Sequence, residues 1–185
     1  MTEIIGQIFG VLVLIASIIN NQFPKRWQML LGLSVINLLS AINQLLVGAG
    51  LTAALLGFVA VVHCPINAYK AKKGLPIRLW ENIFFSVIYF GAWFVGFLAS
   101  STNGTPLYLD LMTLAATVCF VASVFLPKER DIRLATLGNG FIYFVYNIIN
   151  LNISALAMLF GMISVIVALI RYRDKDSGKQ KESNA

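Results

Sequence analysis

The chain has 185 residues, of which 58% are hydrophobic and 12% are charged, with a mean hydropathy of +0.80 and a net charge of +6. Soluble domains carry about a quarter charged residues, so this composition excludes a soluble globular domain. At about 20 residues per spanning helix, seven helices would take about 140 residues, which leaves no room for a second, soluble domain. The excess of basic residues flanks the apolar runs, and basic residues in such positions typically set the orientation of a membrane protein. We therefore expect the lipid bilayer, and no nucleic acid, as a partner.

Seven apolar runs follow one another along the chain, and each is long enough, with its flanking residues, to cross a bilayer as a helix. They cover residues 4–19, 29–47, 51–69, 79–99, 107–126, 133–150 and 154–170. Gly48 and Gly50 lie in a connection so short that the third run must return antiparallel beside the second. The final segment, 174–185, is polar and mixed in charge, which predicts a disordered tail. The sequence thus predicts an all-α polytopic membrane protein with a single transmembrane domain over 1–173.

The positions of the basic residues predict the topology. If the chain crosses the bilayer seven times, all 14 Lys and Arg residues fall on one side of it. Basic residues in short loops concentrate on the cytoplasmic side of a membrane. We therefore predict that the N-terminus lies outside the cell and the C-terminus in the cytoplasm. Six or eight crossings would scatter these charges over both sides.

The three runs before the central one resemble the three runs after it. The dipeptide Pro-Lys at 24–25 recurs at 127–128, an offset of 103 residues, and Gly57 recurs as Gly161, an offset of 104. Small residues let helix backbones approach closely in lipid, so we predict close helix contacts at both glycines. Because three is an odd number, one linker helix restores a common orientation, and the two repeats are predicted to be parallel. The predicted units are repeat one over 1–74, a linker helix over 75–100 and repeat two over 101–173.

This layout of three, one and three helices, with Pro-Lys after the first and fifth, resembles that of the SWEET and PQ-loop transporters. The stretch QMLLGLSVINLLSAINQLLVGAG and its echo GNGFIYFVYNIINLNIS resemble more closely the YgjV-type bacterial inner membrane proteins. The first resemblance implies two three-helix bundles with a solute path between them. The second implies a location in the bacterial inner membrane.

Polar side chains within the second, fifth and sixth runs are the candidates for binding a solute, because intramembrane polar groups are costly and usually functional. The candidate substrate-binding residues are Asn37, Asn43, Gln44, Thr117, Asn139, Tyr143 and Asn147. Their amides and hydroxyls can bind a neutral polar solute without burying a charge. Asn43 and Asn147 are related by an offset of 104, so we expect them to face each other across a site between the repeats. Hydrogen bonds between helices would use the same residue types, and that interpretation stays open.

No acidic residue lies at mid-membrane depth in the sequence, so we predict a passive transporter of a small neutral polar solute. The alternative is a non-transporting structural or assembly subunit, and a homo-oligomer stays open. We predict no enzyme, because His63 and the acids near helix ends cannot supply a nucleophile, a base and an orienting group together. Cys64 and Cys119 have no further ligand at metal-binding spacing, so we predict no metal site and no cofactor.

Overall fold

The computed structural model describes residues 2–48, 50–102 and 104–183, with side chains described as far as residue 172. Within these ranges the chain forms seven helices, and all are long and apolar enough to span a membrane. They are α1 (Thr2–Asn21), α2 (Arg26–Val47), α3 (Leu51–Lys73), α4 (Leu79–Thr102), α5 (Leu107–Phe125), α6 (Glu129–Ile149) and α7 (Ser154–Ser183). The prediction of an all-α chain with seven candidate spans is confirmed for the described residues.

Two tight turns join helices that lie side by side. Gly48 ends α2 in the left-handed conformation, with φ of 71°, and its N–H donates to the carbonyls of Gln44 and Leu45. Leu151 adopts the same conformation between α6 and α7, with φ of 49°. A single left-handed residue stops a helix and reverses the chain. As a result, α3 returns along α2, and α7 returns along α6.

The helices form a ring in chain order. Each helix packs against the next one along the chain, and α1 closes the ring by packing against α7. Helix α4 packs against both α3 and α5, which also touch each other, so these three form a triangular cluster. Large apolar side chains such as Ile8, Val87 and Ile170 are exposed on the outer surface of the ring. In a bilayer such a surface contacts lipid, whereas the polar residues are turned inward.

Helix α4 is joined to its neighbours by direct packing and by a hydrogen bond. A β-carbon on Gly96 would come within 2.6 Å of the α-carbon of Thr52, so the backbones of α3 and α4 touch at this point. Trp93 is buried, and its indole N–H donates to the carbonyl of Asp110 on α5 at 2.9 Å. The helix that the sequence identifies as a linker is therefore an integral part of the ring.

The two glycines that share an offset of 104 differ in their surroundings. A β-carbon on Gly57 would lie 2.9 Å from that of Ala41 and 3.1 Å from the carbonyl oxygen of Asn37, so α2 and α3 are in close contact. A β-carbon on Gly161 would meet only ordinary van der Waals contact, 3.7 Å from the β-carbon of Ser17. The predicted close contact is confirmed at Gly57 and wrong at Gly161. Gly161 borders open space at the centre of the ring.

Helix α7 continues beyond its apolar span. The span ends at Tyr172, while the helical backbone runs on to Ser183. Adding residues to an existing helix costs less free energy than nucleating a new one. This accounts for the helical backbone of the polar residues after Tyr172. Residues 184 and 185 lie outside the described part of the chain, and the predicted disorder of the tail over 174–185 stays a prediction.

Candidate functional site

A cavity of about 100 Å³ lies at the centre of the ring, and every described helix contributes to its wall. Its polar lining residues are Ser17, Asn20, Asn21, Asn37, Ser40, Tyr89, Thr117, Ser123, Thr136, Asn139 and Tyr143. None of the described residues that line it is charged. Apolar side chains such as Leu33, Ile36 and Met162 complete the wall. A space of this size with polar groups in its wall can hold several water molecules, and hence a solute of a few heavy atoms.

Four of the predicted site residues line this cavity: Asn37, Thr117, Asn139 and Tyr143. Asn37 and Asn139 lie near the middle of α2 and α6, which places the cavity midway along the spans. The amide N–H of Asn37 donates to the carbonyl of Leu33 on its own helix at 2.7 Å. That of Asn139 donates across to the carbonyl of Ala116 on α5 at 2.8 Å. A backbone carbonyl therefore fixes the orientation of each amide.

Asn43 lies outside the cavity wall, in a hydrogen-bonded cluster that joins α1, α2 and α7. Its side-chain N–H donates to the carbonyl of Gly6 at 2.7 Å. Its oxygen accepts from the amide of Asn152 and the hydroxyl of Ser154, each at 2.9 Å. The residue is fully buried. The described contacts of Asn43 are therefore those of a structural junction between helices.

Gln44 and Asn147 contact each other directly. The Gln44 side-chain N–H donates to the amide oxygen of Asn147 at 3.1 Å, and the Asn147 N–H donates to the carbonyl of Tyr143 at 2.7 Å. Both are buried and lie beyond the described wall of the cavity. The expectation that Asn43 and Asn147 face each other across the cavity is therefore wrong. Asn147 instead contacts Gln44, which lies 103 residues before it in the sequence.

Sequence reasoning missed the contribution of α1 to the cavity. Ser17, Asn20 and Asn21 line it, and the N–H of Asn21 donates to the carbonyl of Gly161 at 3.0 Å. The signal was present, since small and polar residues at 6, 10, 17 and 20 follow helical spacing along one face. The predicted apolar run over 4–19 stops before Asn20 and Asn21, although both residues lie within α1 and face inward.

Many positions in the wall of the cavity are paired by constant offsets between the two triplets. Six lining residues on α1 and α2 are separated by 103 residues from lining residues on α5 and α6, and two on α3 are separated by 104 residues from lining residues on α7. The pairs are Ser17 and Phe120, Asn20 and Ser123, Leu33 and Thr136, Ile36 and Asn139, Asn37 and Gly140, Ser40 and Tyr143, Ala53 and Ala157, and Gly57 and Gly161. The last two pairs are identical residues, and the side chains of the other six pairs differ.

One end of the ring carries the basic residues, and we call it the basic end. There the guanidinium of Arg26 donates to the carbonyls of Val124 at 2.9 Å and Leu126 at 3.1 Å, at the end of α5. Arg133, which is buried, donates to the carbonyl of Phe23 beyond the end of α1 at 3.0 Å. A cation is favourable at the C-terminus of a helix, where carbonyls are unpaired. Each arginine joins the second helix of one triplet to the end of the first helix of the other.

The opposite end is also bridged between triplets. The hydroxyl of Thr52 at the start of α3 donates to the carboxylate of Asp110 on α5 at 2.8 Å. The side-chain oxygen of Gln7 on α1 accepts from the backbone N–H of Ile153, just before α7, at 3.0 Å. The cavity therefore lies between two sets of hydrogen bonds, one at each end of the ring.

Tyr89 is the residue that α4 contributes to the described wall, and a histidine lies behind it. The Nδ1 of His63 is 3.3 Å from the Tyr89 hydroxyl, and the imidazole stacks on Phe85 with ring centroids 3.9 Å apart. His63 is fully buried. Among the described residues, no group of three or more His, Cys, Asp or Glu side chains that could hold an ion is found.

Helices of this length and hydropathy, closed into a ring with an apolar exterior and with polar side chains buried inside, define the chain as a multi-pass integral membrane protein. Comparison with known protein families finds no match, and neither does comparison with characterised proteins or with solved structures. The class therefore rests on the fold and the cavity alone. The resemblance to YgjV-type and PQ-loop proteins stays a prediction.

Proposed function

We propose that the chain is a passive transporter that carries a small neutral polar solute through the central cavity. The observation that carries this proposal is an uncharged cavity midway along the spans, walled by both triplets with polar side chains among apolar ones. Such a wall can replace the hydrogen bonds that a neutral solute makes with water. An ion would lose its hydration without meeting a compensating charge, which is far more costly.

We also propose that α1 to α3 and α5 to α7 are two parallel copies of one unit. The offsets of 103 and 104 between the paired wall positions support this. The bridges between the triplets support it as well, because the carbonyls of Phe23 and Leu126 correspond at an offset of 103, and so do Gln7 and Asp110. Equivalent residues of parallel repeats surround an axis along the membrane normal. The cavity would then lie on that axis.

Hydrogen bonds between the triplets at both ends of the ring support a transporter whose two ends open in turn. Hydrogen bonds to charged groups contribute about 1.5–3 kcal/mol each, so the few bonds from Arg26 and Arg133 can break without unfolding the helices. We propose two alternating states. In one, the bonds of Arg26 and Arg133 break and the basic end opens, while the bonds of Gln7 and Thr52 persist at the opposite end. In the other, the bonds of Gln7 and Thr52 break while those of Arg26 and Arg133 persist. Neither end needs an ion to drive this exchange.

We propose that the basic end faces the cytoplasm of a bacterium, on the basis of the distribution of Lys and Arg and of the resemblance to YgjV-type proteins. Thr105→Cys and Ser177→Cys, each in a chain with Cys64 and Cys119 replaced by alanine, test this orientation. An impermeant thiol reagent added to intact cells should label only the Thr105 variant, and the Ser177 variant should react only after lysis. Labelling of both from the same side, or the reverse order, would contradict the topology.

Transport itself is tested with the purified chain in liposomes. After a hyperosmotic step with glycerol or urea, vesicles that contain the chain should re-swell faster than protein-free vesicles, as followed by light scattering in a stopped-flow instrument. The same vesicles should not become permeable to Na⁺ or to guanidinium. Equal rates with and without the chain, for both glycerol and urea, would refute transport of such solutes and favour a structural or assembly subunit.

A further inference from the structure

We propose that the solute is a small planar amide, which lies in the cavity with its two faces against α3 and α7 and its polar edge toward the other helices. This inference rests on the proposed function and adds the chemical class and the orientation of the solute. It follows from the unequal distribution of polar side chains among the helices that wall the cavity.

Two helices contribute no hydroxyl, amide or charged side chain to the described wall of the cavity. The residues that α3 contributes are Ala53, Leu56 and Gly57. The residues that α7 contributes number five, and they include Met158, Met162 and Val165. The polar lining residues lie on α1, α2, α5 and α6, with Tyr89 on α4 as the exception. Toward the cavity, α3 and α7 are therefore apolar, whereas four other helices are partly polar.

The two apolar helices lie on opposite sides of the cavity. Because α3 and α5 touch each other, the six helices other than α4 form a closed ring in the order α1, α2, α3, α5, α6 and α7. In a ring of six, each helix lies opposite the helix three places away, so α3 lies opposite α7, and α2 lies opposite α6. The hydrogen bond of 3.1 Å from Gln44 on α2 to Asn147 on α6 joins such an opposed pair. The cavity thus has two facing apolar sides, with partly polar sides between them.

An amide group matches this arrangement. Resonance keeps it planar, so its N–H and C=O groups point outward along the edge, and its two faces offer no strong hydrogen bond. Those faces can contact α3 and α7 without loss of a hydrogen bond. The edge meets groups that both donate and accept, namely the hydroxyls of Ser40 and Thr136 and the amides of Asn37 and Asn139. A tetrahedral solute would instead direct a polar atom at an apolar side, where its hydrogen bond to water is not replaced.

The volume of the cavity limits the size of the amide. An apolar cavity of about 150 Å³ in another protein holds benzene, which has about six non-hydrogen atoms. The cavity of about 100 Å³ described here therefore suits a solute of about four to five such atoms. Urea and its singly methylated derivative have this size, and both are planar and neutral.

The experiment compares N-methylurea, a planar amide, with sulfamide, in which two amino groups and two oxygens surround a tetrahedral sulfur. Both solutes are neutral, carry N–H donors and oxygen acceptors, and have the same number of non-hydrogen atoms. In the stopped-flow assay, the chain should accelerate entry of urea and N-methylurea at least about fivefold more than entry of sulfamide, the lower end of what one lost buried hydrogen bond costs.

The outcomes separate this inference from the proposed function. Equal acceleration of N-methylurea and sulfamide would overturn the selection of planar solutes and leave the proposed transport intact. Acceleration of urea alone would show that size and not planarity decides, and would overturn the inference too. If none of urea, N-methylurea, sulfamide and glycerol enters faster than in protein-free vesicles, both the inference and the proposed transport are wrong.

A pair of variants tests the apolar side that α7 provides. Val165→Thr keeps the shape of the side chain and places a hydroxyl on that side, where it can hydrogen-bond sulfamide. The preference for N-methylurea over sulfamide should therefore fall about two- to tenfold, the contribution of one added hydrogen bond. Val13→Thr is the control, because Val13 is equally buried, on α1, and is absent from the described wall. An equal change in both variants, or no change in either, would overturn the placement of the solute against α7. The comparison of N-methylurea with sulfamide in the unmodified chain does not depend on either variant folding.

Discussion

Gly161→Leu is expected to abolish solute entry while leaving a folded protein. Gly161 lines the cavity, and the β-carbon of a larger residue there would meet only the β-carbon of Ser17, at 3.7 Å. The first carbon therefore fits without strain, and the rest of the leucine side chain extends into a space of about 100 Å³. An apolar group in that space removes both the volume and the hydrogen bonds that a polar solute needs. Glycerol entry should fall to the rate of protein-free liposomes.

Two other glycines provide the controls for this experiment. Gly91 lies on the exposed surface of α4 with nothing within 4 Å of a β-carbon, so Gly91→Leu should retain both entry and stability. Gly57→Leu should instead destabilise the fold, because its β-carbon would come within 2.9 Å of that of Ala41. Thermal unfolding followed by tryptophan fluorescence separates loss of fold from a blocked cavity. If Gly161→Leu unfolds like Gly57→Leu, or passes glycerol at the original rate, the position does not border the solute path.

Asn43→Leu is expected to cause the largest loss of stability among the predicted site residues. Its side chain is fully buried and makes three hydrogen bonds, to Gly6, Asn152 and Ser154. A leucine would leave the amide of Asn152 and the hydroxyl of Ser154 without this acceptor. Each buried polar group that loses its partner costs about 1–3 kcal/mol, so we expect a decrease of about 2–5 kcal/mol in the free energy of unfolding.

Asn37→Leu is the matched control for this prediction. The N–H of Asn37 donates only within its own helix among the described contacts, so its loss should cost less than about 1 kcal/mol. Asn37→Leu should therefore stay folded and lose solute entry, whereas Asn43→Leu should lose stability. Unfolding by SDS in mixed micelles measures both changes. Equal stability of the two variants would show that the Asn43 cluster does not hold α1, α2 and α7 together.

The difference between Asn37 and Asn43 shows which features of the site the spacing of polar residues can predict. Residues seven apart lie on the same helix face, so Asn37 and Gln44 point in the same direction, whereas Asn43 lies about 100° around the helix from Gln44. That rotation turns Asn43 toward α1 and α7 and away from the cavity. Gln44 is on the correct face, yet it lies beyond the wall and bonds Asn147 directly. Periodicity predicts the direction of a side chain, but the distance to the opposite helix depends on how the helices pack.

The number and order of the apolar helices were determined by the sequence alone, because a span through lipid requires about 20 apolar residues and turn residues such as Gly48 separate the spans. The inward direction of Asn37, Thr117, Asn139 and Tyr143 followed from the same local rules. Only the tertiary structure decided that α1 closes the ring against α7 and brings Asn20 and Asn21 to the cavity. It also decided that Asn147 contacts Gln44 and not Asn43, since a shift of one residue turns a helix by about 100° and changes which side chains meet. In lipid, apolar surfaces pack on tails and on helices with similar energy, so helix order and register depend on small residues and on a few hydrogen bonds between distant parts of the chain.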